Sequence, residues 1–73
     1  MSKETNIFEL YEQLNKAGQR GNAQKYIAEL CGVKVGTVKM NWILNKEIPN
    51  HIEEETQDKI IFYLQKQILI NNQ

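Results

Sequence analysis

Seventy-three residues allow one domain with one small core, because a chain this short buries only about 60% of the surface it exposes when unfolded. One cysteine excludes an internal disulfide, and few glycines, one proline and no internal repeat favour an all-α domain. A formal net charge of zero speaks by itself against a strong nucleic-acid binder, the single cysteine fits a reducing cytoplasm, and Met1 to Asn6 is polar with no apolar run of membrane-spanning length, which predicts no signal peptide and no membrane segment.

Taken in order, Thr5-Asn6 offers a helix N-cap and Glu9 stands three residues after Asn6, as in a capping box. Ile7, Leu10, Tyr11 and Leu14 follow i, i+3, i+4, i+7 spacing, so a first helix is expected from Ile7 to Ala17, stopped by Gly18. Glu9 and Glu12 read as its solvated side. Gln19 to Asn22 reads as a polar link, and Asn22 or Ala23 as the start of a second helix that ends at Cys31.

Ala23 to Asn45 is the most informative stretch, AQKYIAELCGVKVGTVKMNWILN. Ile27, Leu30 and Cys31 form an apolar stripe, and Cys31 reads as a small buried hydrophobe rather than a reactive thiol. Gly32 follows where a left-handed C-cap is wanted. Ala28 is small where two steeply crossing helices must approach, and Val33 would plug the angle between them. A third helix is expected from Lys34 or Val35 to Leu44 or Asn45, with Val38, Trp42 and Asn45 about one turn apart. Gly36 near its start weakens it by about 1 kcal/mol relative to alanine. This is the spacing of a helix-turn-helix, and the plain alternative is a helical hairpin with a glycine turn.

Lys46 to Asn50 is the next link, where Pro49 biases Ile48 to an extended conformation and suits a helix start. Glu53, Glu54 and Glu55 complement the dipole of a helix N-terminus. Ile52, Thr56, Ile60, Leu64 and Ile68 share one face, and Ile61, Phe62, Tyr63, Leu69 and Ile70 widen it. One long C-terminal helix is expected, about Asn50 to Ile70. Closure over the first helix accounts for Ile60, Ile61 and Leu64. It accounts less well for Ile68 to Ile70, which a partner or a second copy of the chain, in a homodimer, could cover.

The charge is uneven. Residues 16 to 46 carry Lys16, Arg20, Lys25, Lys34, Lys39 and Lys46 against Glu29, a local +5, whereas residues 1 to 15 carry −2 and residues 47 to 73 carry −3. Basic charge gathered on the motif is expected of a chain that meets phosphate, although each lysine alone is also explained as solvated surface. No enzyme, metal or cofactor constellation is apparent. His51 is the single histidine, the three adjacent glutamates fan around their helix, and Gly32 and Gly36 lack the flanking pattern of a phosphate loop.

The segment IAELCGVKVGTVKMNWI resembles the helix-turn-helix of small phage regulators of the Cro and repressor class, and the likeness extends through Lys46-Glu47-Ile48-Pro49. Across its length the chain is similar to the modulator-of-repression proteins of temperate lactococcal phages. Those are small antirepressors that bind a partner repressor and set the lytic/lysogenic choice. The resemblance implies a small helix-turn-helix domain of about four helices working in the cytoplasm of a bacterial host. One departure matters: Asn41 stands where the family usually has an apolar residue, and Trp42 follows it. Either the third helix is wound differently, or the core contact passes to Trp42.

In a docked helix-turn-helix the N-terminal half of the third helix enters the major groove. Its outward residues here would be Lys34, Val35, Gly36, Lys39 and Met40. Valine, glycine and methionine cannot hydrogen-bond a purine edge, so only Lys34, Thr37 and Lys39 keep polar reach. Gln24 and Lys25 would meet the phosphate backbone. Val35 and Met40 rimmed by lysines suit a protein partner better. Two functions follow. One is an antirepressor that binds a phage repressor protein and blocks its access to the operator. The other is a Cro-like repressor that binds operator DNA itself. Zero net charge, the apolar third helix and the resemblance favour the first.

Overall fold

The computed structural model describes residues 3–71, so Met1 and Ser2 of the polar N-terminal stretch lie outside the described residues. The protein is all-α. Helix α1 spans Lys3–Glu12 and α2 spans Gln19–Cys31. Helix α3 is wound as an α-helix over Val35–Thr37 and as a π-helix over Val38–Ile43, and α4 spans Glu54–Asn71. One core joins them: Ile7, Phe8, Tyr11 and Leu14 from the N-terminal segment, Ala23, Ile27 and Ala28 from α2, Val38 and Trp42 from α3, Ile48 and Ile52 from the link, and Ile60 and Leu64 from α4. Its most enclosed large side chains are Ile7, Val38, Ile60 and Leu64. The α1–α4 contact is the most extensive between helices, and α2 packs on both α3 and α4. Among the described residues, no helix is long and apolar enough to cross a membrane.

The first helix differs from expectation at both ends. It already runs at Lys3, because Lys3 and Glu4 are good helix formers, and Asn6 therefore lies inside it rather than capping it. It stops at Glu12 and not at Ala17. The amides of Gln13 and Leu14 bond to the Leu10 and Tyr11 carbonyls at 3.0 and 3.1 Å, a tightening that closes the helix. Arg20 then reaches back, donating from Nη2 to the Glu12 carbonyl at 3.1 Å and from Nε to the Leu14 carbonyl at 3.2 Å. Gly18 is the N-cap of α2, with φ 83°, and the Asn22 amide bonds to its carbonyl at 2.9 Å. The expected Gln19–Asn22 link is therefore the first turn of α2.

Gln19 explains why. It is buried, and its amide group joins three segments. Its Oε1 accepts from the Lys16 amide at 3.2 Å and from Asn71 Nδ2 at 2.8 Å, while its Nε2 donates to the Gln67 carbonyl at 3.4 Å. A buried amide with these partners ties the start of α2 to the end of α4.

The end of α2 is as the glycine indicated. Gly32 sits at φ 70°, its amide bonding to the Glu29 carbonyl at 3.4 Å, and the Val33 amide bonds to the Ala28 carbonyl at 2.9 Å. This paired closure is a Schellman motif. At the other end of the chain, α4 starts at Glu54, four residues later than expected, because Ile48 and Ile52 are both buried and hold the link on the core. Ile52 bonds back to the Pro49 carbonyl at 3.1 Å, and Gln57 accommodates the helix start by donating its side chain to the Ile52 carbonyl at 3.0 Å.

The two glycines of the α2–α3 region should respond oppositely to alanine. Gly32→Ala forces a Cβ into a left-handed conformation and should destabilise by about 1 kcal/mol. Gly36 has open space and no positive φ, so Gly36→Ala should stabilise by about 0.5–1 kcal/mol. Urea unfolding followed by circular dichroism reads both.

Candidate interaction surface on the third helix

Val38 and Trp42 determine which side of α3 faces outward. Trp42 is only 5% exposed and Val38 is fully buried, while Asn41 is exposed. A π-helix bonds each amide to the fifth residue back, so residues four and five apart come to share a face. Val38 and Trp42, four residues apart, share the inner face, and the wider winding carries Asn41, three residues after Val38, outward. Both resolutions of the Asn41 departure therefore hold together. The helix then closes as α2 does at Gly32, with Lys46 at φ 54°, its amide bonding to the Ile43 carbonyl at 3.3 Å and the Glu47 amide to the Trp42 carbonyl at 3.0 Å. Asn45 is exposed and not part of the inner face, and its amide donates to the Asn41 carbonyl at 3.0 Å.

The outer side carries Val35, Met40 and Leu44, of which Met40 is 56% and Leu44 69% exposed. Their spacings of five and four residues put them on one strip of a widened helix. Leu44 was not anticipated as part of it, being read as the helix end. The available signal was that Leu44, six residues after Val38 and two after Trp42, falls on the side opposite them at helical spacing. Lys34 and Lys39 are exposed beside this strip, and Gly36 leaves a gap between Val35 and Met40. Asn41 and Asn45 line a cleft of about 420 Å³ at the far end of α3, with Trp42, Glu47, Ile48 and Pro49. An apolar strip is thus bordered by lysines at one end and by amides at the other.

The remaining expected contact residues divide. Lys25 is exposed on α2, as a phosphate or carboxylate contact requires. Gln24 is half-buried and its Nε2 donates to the Tyr11 hydroxyl at 2.9 Å, making it a strut between α1 and α2. Thr37 is half-buried, and its amide is taken by the Lys34 carbonyl at 3.0 Å. The local positive charge is also partly committed. Arg20 serves the end of α1 and lies 5.5 Å from the Tyr11 ring centroid, and Lys46 Nζ lies 3.3 Å from the Glu12 carboxylate. Lys25, Lys34 and Lys39 remain as exposed cations of α2 and α3.

Nearby titratable groups are structural. Tyr26 and Tyr63 stack at 4.2 Å with their planes 13° apart, joining α2 to α4. Burial, and then the neighbouring Tyr26, push the Tyr63 hydroxyl above its ordinary value. Cys31 is half-buried at the end of α2, and burial raises its thiol pKa. His51 is exposed, and among the described residues no group of three or more His, Cys, Asp or Glu is placed to hold a metal ion. No family model, curated protein or solved structure matches the chain.

Because burial disfavours the Cys31 thiolate, the unfolded chain ionises first as pH rises through the ordinary cysteine range. The stability contributed by the neutral thiol is therefore present below that range and lost as pH rises through the raised folded value. Modification by a thiolate-selective disulfide reagent at pH 8 should be slower in the folded protein than in denaturant, and equal rates would contradict the assignment.

Proposed function

We propose that the chain is an antirepressor of the phage-switch type, a transcriptional regulator that docks the outer face of α3 onto the DNA-binding domain of a partner repressor and so blocks operator binding. In this reading α2, the Gly32 turn and α3 form a helix-turn-helix scaffold used for protein recognition. The observation that carries it is the strip of Val35, Met40 and Leu44 with Lys34 and Lys39 beside it. An apolar centre with a polar rim is the anatomy of a protein interface, and methionine adapts its shape to a partner. Reading a base edge would instead call for polar readers along the N-terminal half of this face, where only Lys34 and Lys39 are exposed, the exposed Asn41 and Asn45 lying toward its far end. The lysines suit carboxylates on the repressor. Covering the repressor's recognition helix would exclude DNA directly.

Direct operator binding is the competing function, and the exposed Lys25, Lys34 and Lys39 favour it. Gln24 supports it less, being held by Tyr11.

A mobility-shift titration separates the two. The probe is DNA from the switch region of the chain's own genome, with and without the repressor encoded there. The antirepressor reading expects no shift from this protein alone and release of DNA from the bound repressor. Met40 is exposed, so Met40→Asp should leave the fold intact and weaken release by about tenfold or more. A shift by this protein alone, falling steeply with salt and losing about one unit of slope in Lys39→Gln, would establish the operator-binding function instead.

A further inference from the structure

The two ends of the α3 face differ in charge. Lys34 and Lys39 stand at its beginning, beside Val35 and Met40. Its far end is the cleft of about 420 Å³, and among the described residues no lysine or arginine lines that cleft. The polar lining is Glu47 with the amides of Asn41, Asn45 and Asn50, set against the apolar surfaces of Trp42 and Pro49.

Three observations make this end an acceptor of positive charge. It lies at the C-terminus of α3, where the helix dipole favours a cation. The Asn45 Nδ2 donates to the Asn41 carbonyl at 3.0 Å, which orients the amide and leaves Oδ1 as its open acceptor. Glu47 is exposed, and among the described residues its carboxylate meets no cation. Lys46, the cation nearest in sequence, is directed instead to Glu12 on α1, with Nζ 3.3 Å from the carboxylate.

A partner that binds operator DNA carries the complementary groups, because arginine and lysine hold phosphates and read base edges. Lys34 and Lys39 repel such a surface, and the cleft is the part of the α3 face that attracts it. Arginine suits the cleft better than lysine. Its planar fork of five donors can meet a carboxylate and amide oxygens together, while its methylenes and the guanidinium plane pack on apolar walls.

We infer that the cleft seats one arginine from the DNA-contacting surface of the repressor, its guanidinium on the Glu47 carboxylate and the Asn45 Oδ1. A group with which the repressor holds the operator is then occupied by this protein instead. The inference rests on the antirepressor reading and adds to it the class of side chain captured and the residues that capture it.

Calorimetric titration of the full chain into the repressor encoded in the same switch region tests it. The wild type should bind. Glu47→Lys should weaken binding by about tenfold or more with helical circular dichroism unchanged, since Glu47 is exposed and contributes its backbone amide to the fold. Each arginine of the repressor's DNA-binding domain is then changed in turn to glutamate. One of these variants should lose operator binding by itself and recover most of the affinity for Glu47→Lys, by reversing the pair. A wild type that binds no repressor overturns the antirepressor reading and this inference with it. Binding unchanged in Glu47→Lys overturns this inference, and leaves the antirepressor reading standing where Met40→Asp still weakens binding. A loss in Glu47→Lys that no arginine variant reverses overturns the arginine assignment. Recovery through an arginine dispensable for operator binding overturns the competition for a DNA-holding group.

Discussion

Burial of Trp42 together with Val38 is the constraint on which α3 depends. The two residues are four apart and so share the inner face, and the π stretch over Val38–Ile43 turns Asn41, three residues after Val38, further from that face than an α-helix would. The rest of the surface follows. Asn41 moves outward to the cleft, Met40 and Leu44 line up with Val35, and the helix ends with Lys46 in a left-handed conformation and the Glu47 amide on the Trp42 carbonyl. A core requirement at two positions thus sets the composition of the outer face.

Local rules with a single backbone consequence were readable from the chain. Gly32 needed a left-handed conformation at the end of an apolar stripe, and α2 ends there. The long run from Glu54 had enough apolar residues at helical spacing to be one helix, and it is. What could not be read were boundaries decided by partners distant in sequence. Gly18 looks the same as a stop for α1 and as a start for α2, and the choice is made by Arg20 and Gln19 acting on carbonyls and amides elsewhere. Pro49 is a good first helical residue in isolation. The helix nevertheless waits until Glu54, because burying Ile48 and Ile52 holds the intervening residues against the core.

Side-chain roles show the same division. The exposure of Val35, Lys39 and Met40 followed from helical periodicity once Val38 was placed inside. Gln24 has equal claim by sequence to a surface position, yet Tyr11 lies within hydrogen-bond reach and takes it inward. Charge counts are misleading for a related reason. Arg20 and Lys46 contribute to the positive total of the central segment, but the first is occupied with the end of α1 and the second sits beside Glu12. A count of lysines and arginines along the chain overstates the field available to a partner.

The Gln19 amide, joined to Gln67 and Asn71 across 48 and 52 residues of chain, has a consequence for specificity of register. Apolar contacts between α2 and α4 would tolerate a slide of α4 along its axis, since isoleucine and leucine recur along it at nearly every turn. Directional amide bonds do not tolerate it. A slide of one turn, about 5.4 Å, would take from the buried Gln19 its Gln67 and Asn71 partners and leave its Nε2 donor unpaired. The network therefore works as a vernier mark, holding α4 at one longitudinal setting against a core that would accept several.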